Sequence, residues 1–201
     1  METLIELDNV SFFYPDNGNS ATSKEEAALA NVEISVKSGD FAILIGPSGC
    51  GKSTLLQIMA GVIPEYTGGR IRGRVLVEGT DILRTDDNLM GRVGLVLQNP
   101  ESQLTNLFVE DEVMFPLENM CLPRQEILHR TEEVSRYARL GEIRGNFVYQ
   151  LSGGQTQRVA IASGLGMRPK VLLMDGPTTN LDPEGADEVL HLISRMRDTG
   201  E

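Results

Sequence analysis

Residues 46–53 read Gly-Pro-Ser-Gly-Cys-Gly-Lys-Ser and directly follow the apolar run Phe41-Ala-Ile-Leu-Ile45. Few octapeptides constrain a fold as tightly. Gly46 and Gly51, with four residues between them and Lys52-Ser53 behind, have the spacing of a loop that cradles phosphate between a strand and a helix. Residues without a Cβ let backbone N–H groups approach an anion closely, and the helix expected from Lys52 to about Ala60 adds its positive dipole end. In this pattern Lys52 reaches the β- and γ-phosphates of a nucleotide and Ser53 offers its hydroxyl to Mg²⁺. The rival reading is a tight strand-to-helix turn that merely contains lysine. A buried strand ahead and an apolar helix behind argue against it.

About a hundred residues later, Leu151-Ser-Gly-Gly-Gln155 forms a second glycine-rich loop before a helix, with Ser152 suited to the N-cap. This loop too can present backbone N–H groups to an anion, although Ser-Gly-Gly also occurs in simple capping turns. Two such loops suggest a nucleotide held between surfaces.

The rest of the chain reads as α/β. Leu4–Phe12 and Val32–Val36 alternate as strands exposed on one face, and Phe41–Ile45 reads as a strand buried on both faces. Arg74–Val77 and Val93–Leu97 are further strands, and Val171–Met174 is a second fully buried one that ends in Asp175. Asp16–Glu26 is polar and reads as a mobile surface loop. Pro123–Leu140 reads as a helix with Ile127, Leu128, Val134, Tyr137 and Ala138 near one face. Pro183 opens a last helix with Val189, Leu192, Ile193 and Met196 on one side. The expected architecture is an antiparallel β portion first, then a helical insert between roughly 100 and 150. Asp175, at the carboxyl end of its strand and paired with the glycine loop, is the expected Mg²⁺ carboxylate, direct or through water.

Composition narrows the partners. Over 201 residues, 18 basic against 29 acidic side chains leave a net charge of −11, which disfavours nucleic acid as a main ligand. One bound nucleotide needs only local positive groups. Cys50 and Cys121 lack metal-ligand spacing and read as reduced cytosolic thiols. No signal peptide is evident, and no apolar run approaches the ~20 residues that span a bilayer, so a membrane role would come through a partner.

These motifs, with Gln157-Arg-Val-Ala-Ile-Ala162 after the second loop and Asn180-Leu-Asp182 after the last strand, resemble the ATP-binding cassette (ABC) ATPases over nearly the whole chain. The resemblance implies a phosphate-loop NTPase cassette occupying residues 1–201, with a helical subdomain at about 100–165. It implies ATP and Mg²⁺, and a composite site in which one subunit's first loop faces the other's second. Nucleotide binding then falls to Gly46, Pro47, Ser48, Gly49, Cys50, Gly51, Lys52, Ser53 and Thr54. Ser152, Gly153, Gly154 and Gln155 act on the nucleotide of the opposite subunit. Gln98 would contact Mg²⁺ or the attacking water, so that Ser53, Gln98 and Asp175 form the metal set. Tyr14 resembles the aromatic that stacks on adenine, with Phe12 and Phe13 as alternatives. Asn99-Pro-Glu-Ser-Gln-Leu104 and Val109-Glu-Asp-Glu-Val113 look like the cobalt- and vitamin-type importers of the energy-coupling-factor group. There two ATPase subunits drive a membrane-embedded coupling protein at the inner face of the membrane. By that analogy Pro100–Leu117 grips the membrane partner; a solvated loop over the insert is the other reading.

The sequence departs from the family at Gly176, where a catalytic glutamate normally follows the strand-ending aspartate. Without that general base, hydrolysis at this chain's own site is expected to be slow or absent, by ~10²–10⁴-fold. Asp182 and Glu184 lie beyond the turn. Gly164 and Gly166 stand in a helix where alanine is usual. The family's further strand, ending in a histidine that contacts the γ-phosphate, is expected to be missing after Glu201, as in a truncated product or an excerpt; His191 sits too early to be that histidine. Two rival functions stay open, a binding-only regulatory cassette and an inactive fragment. A DNA-repair or chromosome ATPase is disfavoured, because Gln98–Leu151 is too short for a long coiled coil.

Overall fold

A computed structural model describes residues 2–15, 27–84, 89 and 91–199. The expected loop Asp16–Glu26 lies outside the described residues. The chain divides into two compact units, Met1–Leu89 and Met90–Glu201.

The first unit is built on alternation. β1 (Thr3–Phe13) pairs antiparallel with β2 (Leu29–Lys37) on one side and with β3 (Arg70–Val77) on the other, and β3 pairs with the short β4 (Thr80–Asp81). Ile5, Leu7, Val10 and Phe12 of β1 are buried with Val75 and Val77 of β3, while Glu6 faces out. Alternation holds from Ile5 to Leu7, and the irregular register between Leu7 and Val10 shifts its phase, so that Val10 and Phe12 are buried as well. β3 starts earlier than the sequence suggested, at Arg70, because Phe13 pairs with it there. α1 (Lys52–Met59) buries Leu55, Ile58 and Met59.

One expectation fails here. Phe41–Ile45 is not a strand, and Phe41, Ile43, Leu44 and Ile45 are 50%, 73%, 44% and 86% exposed. An apolar run becomes a buried strand only where neighbouring backbone supplies its hydrogen bonds. The four-stranded sheet of this unit, ordered β2-β1-β3-β4, does not include it.

The second unit joins a parallel pair, β5 (Val93–Val96) and β6 (Val171–Met174), to four helices. After β5 comes a 3-10 turn, Pro100–Ser102, then α2 (Val109–Asn119) and α3 (Arg124–Tyr137). Next follow α4 (Gly153–Gly166) and α5 (Pro183–Thr199). Val96, Val109, Val113, Val134, Leu140, Val159, Ile161, Val189 and Leu192 form one buried cluster. The expected faces of α3 and α5 hold except at Leu128, which is 43% exposed. β6 is only partly buried, with Leu173 alone inside, so the fully buried strand expected there is corrected too. Two strands cannot cover each other on both faces.

Candidate functional site

In the first unit the loop Gly46–Gly51 runs exposed into α1. Gly51 takes the N-cap position at φ 96°, and a Cβ there would meet Leu29 Cδ2 at 2.7 Å and Ala28 O at 3.1 Å. Only glycine fits this left-handed, crowded corner, which turns the chain directly into the helix. No side chain caps α1, so its first-turn N–H groups face outward at the positive end of the helix dipole. Lys52 Nζ donates to Gly46 O at 2.9 Å and to Pro47 O at 2.8 Å. Its ammonium therefore sits inside the turn formed by Gly46, Pro47, Ser48, Gly49 and Cys50, with Cys50 Sγ at 3.7 Å. A cation held by two carbonyls, above a row of amide donors, is chemistry suited to a polyphosphate.

Tyr14 stands over the same helix. Its hydroxyl lies 2.8 Å from Thr54 Oγ1, its ring makes an edge contact with Phe12 at 4.7 Å, and it is 53% exposed. Phe12 is fully buried and Phe13 lies beneath the guanidinium groups of Arg70 and Arg72. Of the three aromatics considered, Tyr14 therefore has the free face beside the loop. Ser53 is the second residue of α1 and is half-buried.

In the second unit the parallel pairing of β5 and β6 brings two predicted residues together. Val96 pairs with Met174, and Asp175 N–H donates to Val96 O at 2.9 Å, so Asp175 and Gly176 leave β6 beside the point where Leu97 and Gln98 leave β5. A Cβ on Gly176 would lie 3.6 Å from Gln98 Cγ. The amide oxygen of Gln98 and the carboxylate of Asp175 are hard oxygen donors of the kind Mg²⁺ takes, and Ser53 in the first unit is another. Gly176 has φ +52°, and its absent Cβ would stand 2.6 Å from Thr179 Oγ1. Asp182 cannot replace the missing base: its Oδ1 accepts from Gly185 N–H at 2.9 Å and caps α5. His191 is exposed on α5, 3.4 Å from Asp187, away from β6 in sequence and in role.

The second glycine loop closes as a reciprocal cap. Ser152 Oγ accepts from Gln155 N–H at 3.3 Å, and Ser152 N–H donates to Gln155 Oε1 at 3.0 Å. Ser152 and Gly153 remain exposed ahead of α4. Gly154 is buried where a Cβ would strike Gly185 Cα at 2.7 Å, which lets α4 and α5 approach at their starts. Gln155 is thus committed to holding the loop's shape rather than projecting from it.

Sequence reasoning missed Gln103 and Glu112. Glu112 is buried on α2, where its Oε2 accepts from Thr105 N–H, Asn106 N–H and Asn106 Nδ2 at 2.7–3.1 Å. A glutamate in the first turn of a helix is a recognisable cap signal, but its partners upstream are not. Around them Phe108, Phe147 and Tyr149 stack, with Phe108 and Phe147 also bridging as extended chain.

Comparison with known proteins agrees with this geometry. The ABC transporter family profile matches residues 29–179. A putative ABC transporter ATP-binding protein of Methanosarcina mazei is 39% identical over 97% of this chain, and one of Pyrococcus abyssi is 45% identical over 94%. The chain spans about a third of the first relative's length (32%) and 66% of the second's. Among solved structures, cbiO1 of Clostridium perfringens, described as part of the ABC transporter complex cbiONQ, superposes with TM-score 0.80 at 30% identity, over 99% of this chain and 75% of its own. A dimeric ATP-binding cassette in a post-hydrolysis state with ADP and phosphate gives TM-score 0.78 at 30% identity, over 98% of this chain and 84% of its own. The mixed α/β cassette fold, the two glycine loops and the strand-ending aspartate all fall within that likeness, and the chain belongs to the ATP-binding family of the ABC transporters.

Proposed function

We propose that this chain is the nucleotide-binding cassette of an importer of the energy-coupling-factor type. ATP with Mg²⁺ would join it to a second ABC ATPase subunit, identical or different, and closure would drive a transmembrane coupling protein. The observation that carries the reading is the clasp of Lys52 inside the Gly46–Gly51 turn, with Tyr14 beside it on Thr54. The likeness to cbiO1 supports the importer type, and the stack Phe108-Phe147-Tyr149, exposed at its two outer rings, supports a partner surface at Pro100–Leu117. No helix among the described residues is long and apolar enough to cross a membrane, so the proposed place at the cytoplasmic face depends on that partner.

Each residue has a proposed part. The backbone N–H groups between Gly46 and Thr54, Pro47 excepted, and the Lys52 ammonium bind the phosphates, Pro47 shapes their turn, and the Tyr14 ring stacks on the base. Mg²⁺ would be held by Ser53, Gln98 and Asp175 and would neutralise charge between the β- and γ-phosphates. Gln98 orients the attacking water. Gly153 and Gly154 present N–H groups, and Ser152 its hydroxyl, to the γ-phosphate bound by the other subunit, with Gln155 holding their loop.

A second reading is favoured by Gly176. With hydrogen at the place of the carboxylate side chain, nothing on this strand end accepts the water's proton, and a binding-only cassette would leave hydrolysis to its partner's site. Titration with ATP should saturate in the wild-type chain and fail in Lys52→Ala. Turnover at ordinary ABC rates by a homodimer would refute the binding-only reading. Absence of saturable ATP binding, even with a partner cassette present, would refute both.

A further inference from the structure

We infer that Gln103 is a positioning residue for Gln98, acting through the last peptide of β5. In a strand, successive residues turn their N–H and C=O groups to opposite edges. Val96 O points to β6, where it accepts from Asp175 N–H. Leu95 and Leu97 therefore turn theirs to the other edge, and no strand among the described residues pairs there. The Gln103 carboxamide occupies that edge. Its Nε2 donates to Leu95 O at 3.2 Å and its Oε1 accepts from Leu97 N–H at 2.9 Å. Those are the two bonds that one residue of a neighbouring parallel strand would make, so a side chain completes the ladder in place of a backbone. Its orientation is dictated, since Leu97 N–H can only donate and Leu95 O can only accept.

The consequence falls on Gln98. The Val96–Leu97 peptide, one residue before Gln98, is held from both edges of β5: its N–H donates to Gln103 Oε1 and its C=O accepts from Asp175 N–H. The loop that returns from Gln98 is itself short, with Gln103 N–H donating to Pro100 O at 3.0 Å and Ser102 Oγ donating to Asn99 O at 2.7 Å. Glu112 then fastens Thr105 and Asn106 to α2. The exposed Gln98 side chain, beside Gly176, thus starts one residue beyond a peptide held at both its N–H and its C=O. Its value for catalysis rests on the proposed part of Gln98 at the metal and water.

NMR of the 201-residue chain without nucleotide tests the positioning itself. In Gln103→Leu, exchange of the Leu97 amide should quicken about tenfold, the size expected for losing one net hydrogen bond, and the Gln98 side-chain amide signals should move. In Gln103→Glu the carboxylate present at neutral pH still accepts from Leu97 N–H but faces Leu95 O without a donor, so the Gln98 side-chain signals should move there. The shift should reverse as acid protonates it and restores a donor, with wild type and Gln103→Leu as controls over the same range. Gln98 signals that stay at their wild-type positions in both variants would overturn the inference, leaving Gln103 as a splint for β5 alone. A second arm compares ATP affinity with Mg²⁺ and with a chelator. Gln103→Leu should lose the same Mg²⁺-dependent gain as Gln98→Ala, and the double variant no more. Retention of the gain in Gln103→Leu but not in Gln98→Ala would overturn the inference. Retention in both, with the Gln98 signals displaced, would count against the metal role of Gln98 while upholding the positioning.

Discussion

Gly176 holds a left-handed backbone at φ +52° with Thr179 Oγ1 against the place of a Cβ, so restoring the family's glutamate is not a free graft. A non-glycine residue in that region costs roughly 1–2 kcal/mol, and the Thr179 hydroxyl must also move. Gly176→Glu should therefore lower the unfolding free energy by about that much while raising ATP turnover, because its carboxylate would start next to Gln98. Unchanged stability would show that the backbone relaxes here at no cost. Gly164 and Gly166 are different. A Cβ on Gly164 would meet Leu172 Cδ1 at 3.4 Å, and one on Gly166 would meet Leu117 Cδ2 at 3.6 Å, both ordinary contacts. Replacing Gly164 by alanine should stabilise the chain by about 0.5–1 kcal/mol, since glycine in a helix interior costs backbone entropy and nothing here demands it, and Gly166→Ala, at the last residue of α4, should give less. Urea denaturation of the single and double variants measures this; a loss of stability would mean that α4 is packed more tightly than these distances allow.

At the scale of elements, α4 depends on its N-terminus. Ser152→Ala removes one half of the capping box and should cost about 1 kcal/mol in the same denaturation experiment. It should also weaken ATP-driven association, because the loop that presents Ser152 and Gly153 loses its shape. Ser152→Thr keeps the cap and should recover most of the stability. α2 and α3 are tied by charge: Arg144 pairs with Glu132 and, at 2.7 Å, with Glu110. The hydrogen bonds from Arg144 and Arg136 hold the Glu132 carboxyl below the usual carboxylate range, and Arg130 does the same for Glu126. A carboxyl with a lower pKa folded than unfolded adds stability above its unfolded value and gives it up as pH falls through the folded one. Acid should therefore loosen this helical region, and Glu132→Gln should be less stable at neutral pH with a shallower loss on acidification. Thermal melts across pH show it; parallel curves for the variant and wild type would refute the contribution. Glu132 is exposed, so added salt should shrink the difference.

At the scale of the whole molecule, the proposed site is completed by another cassette, and ATP should shift the chain from monomer to dimer in sedimentation. Lys52→Ala should stay monomeric, and a dimer that forms equally well without nucleotide would contradict the clasp. The local chemistry was legible from residues alone. The Gly46–Gly51 turn into α1, the Ser152 cap and the strand leading to Asp175 each depend on a few neighbours in sequence, where spacing and missing Cβ atoms decide the outcome. What depended on distant partners was not. Phe41–Ile45 reads as a buried strand by composition, yet its exposure is decided by which strands lie beside it. Leu128 shares a helical period with the core but falls at the edge of what α2 and α4 cover. Gln103 carries no pattern at all, since its amide stands in for backbone six residues earlier only after the turn at Pro100 folds back on β5. Sequence alone determined the glycine turn, the lysine it holds and the cap of α4, on which the proposed nucleotide site rests, because these are set by residue type and short-range geometry. Tertiary structure alone decided which apolar runs are covered and which side chains complete a sheet, because burial and ladder pairing belong to neighbours that no local window contains.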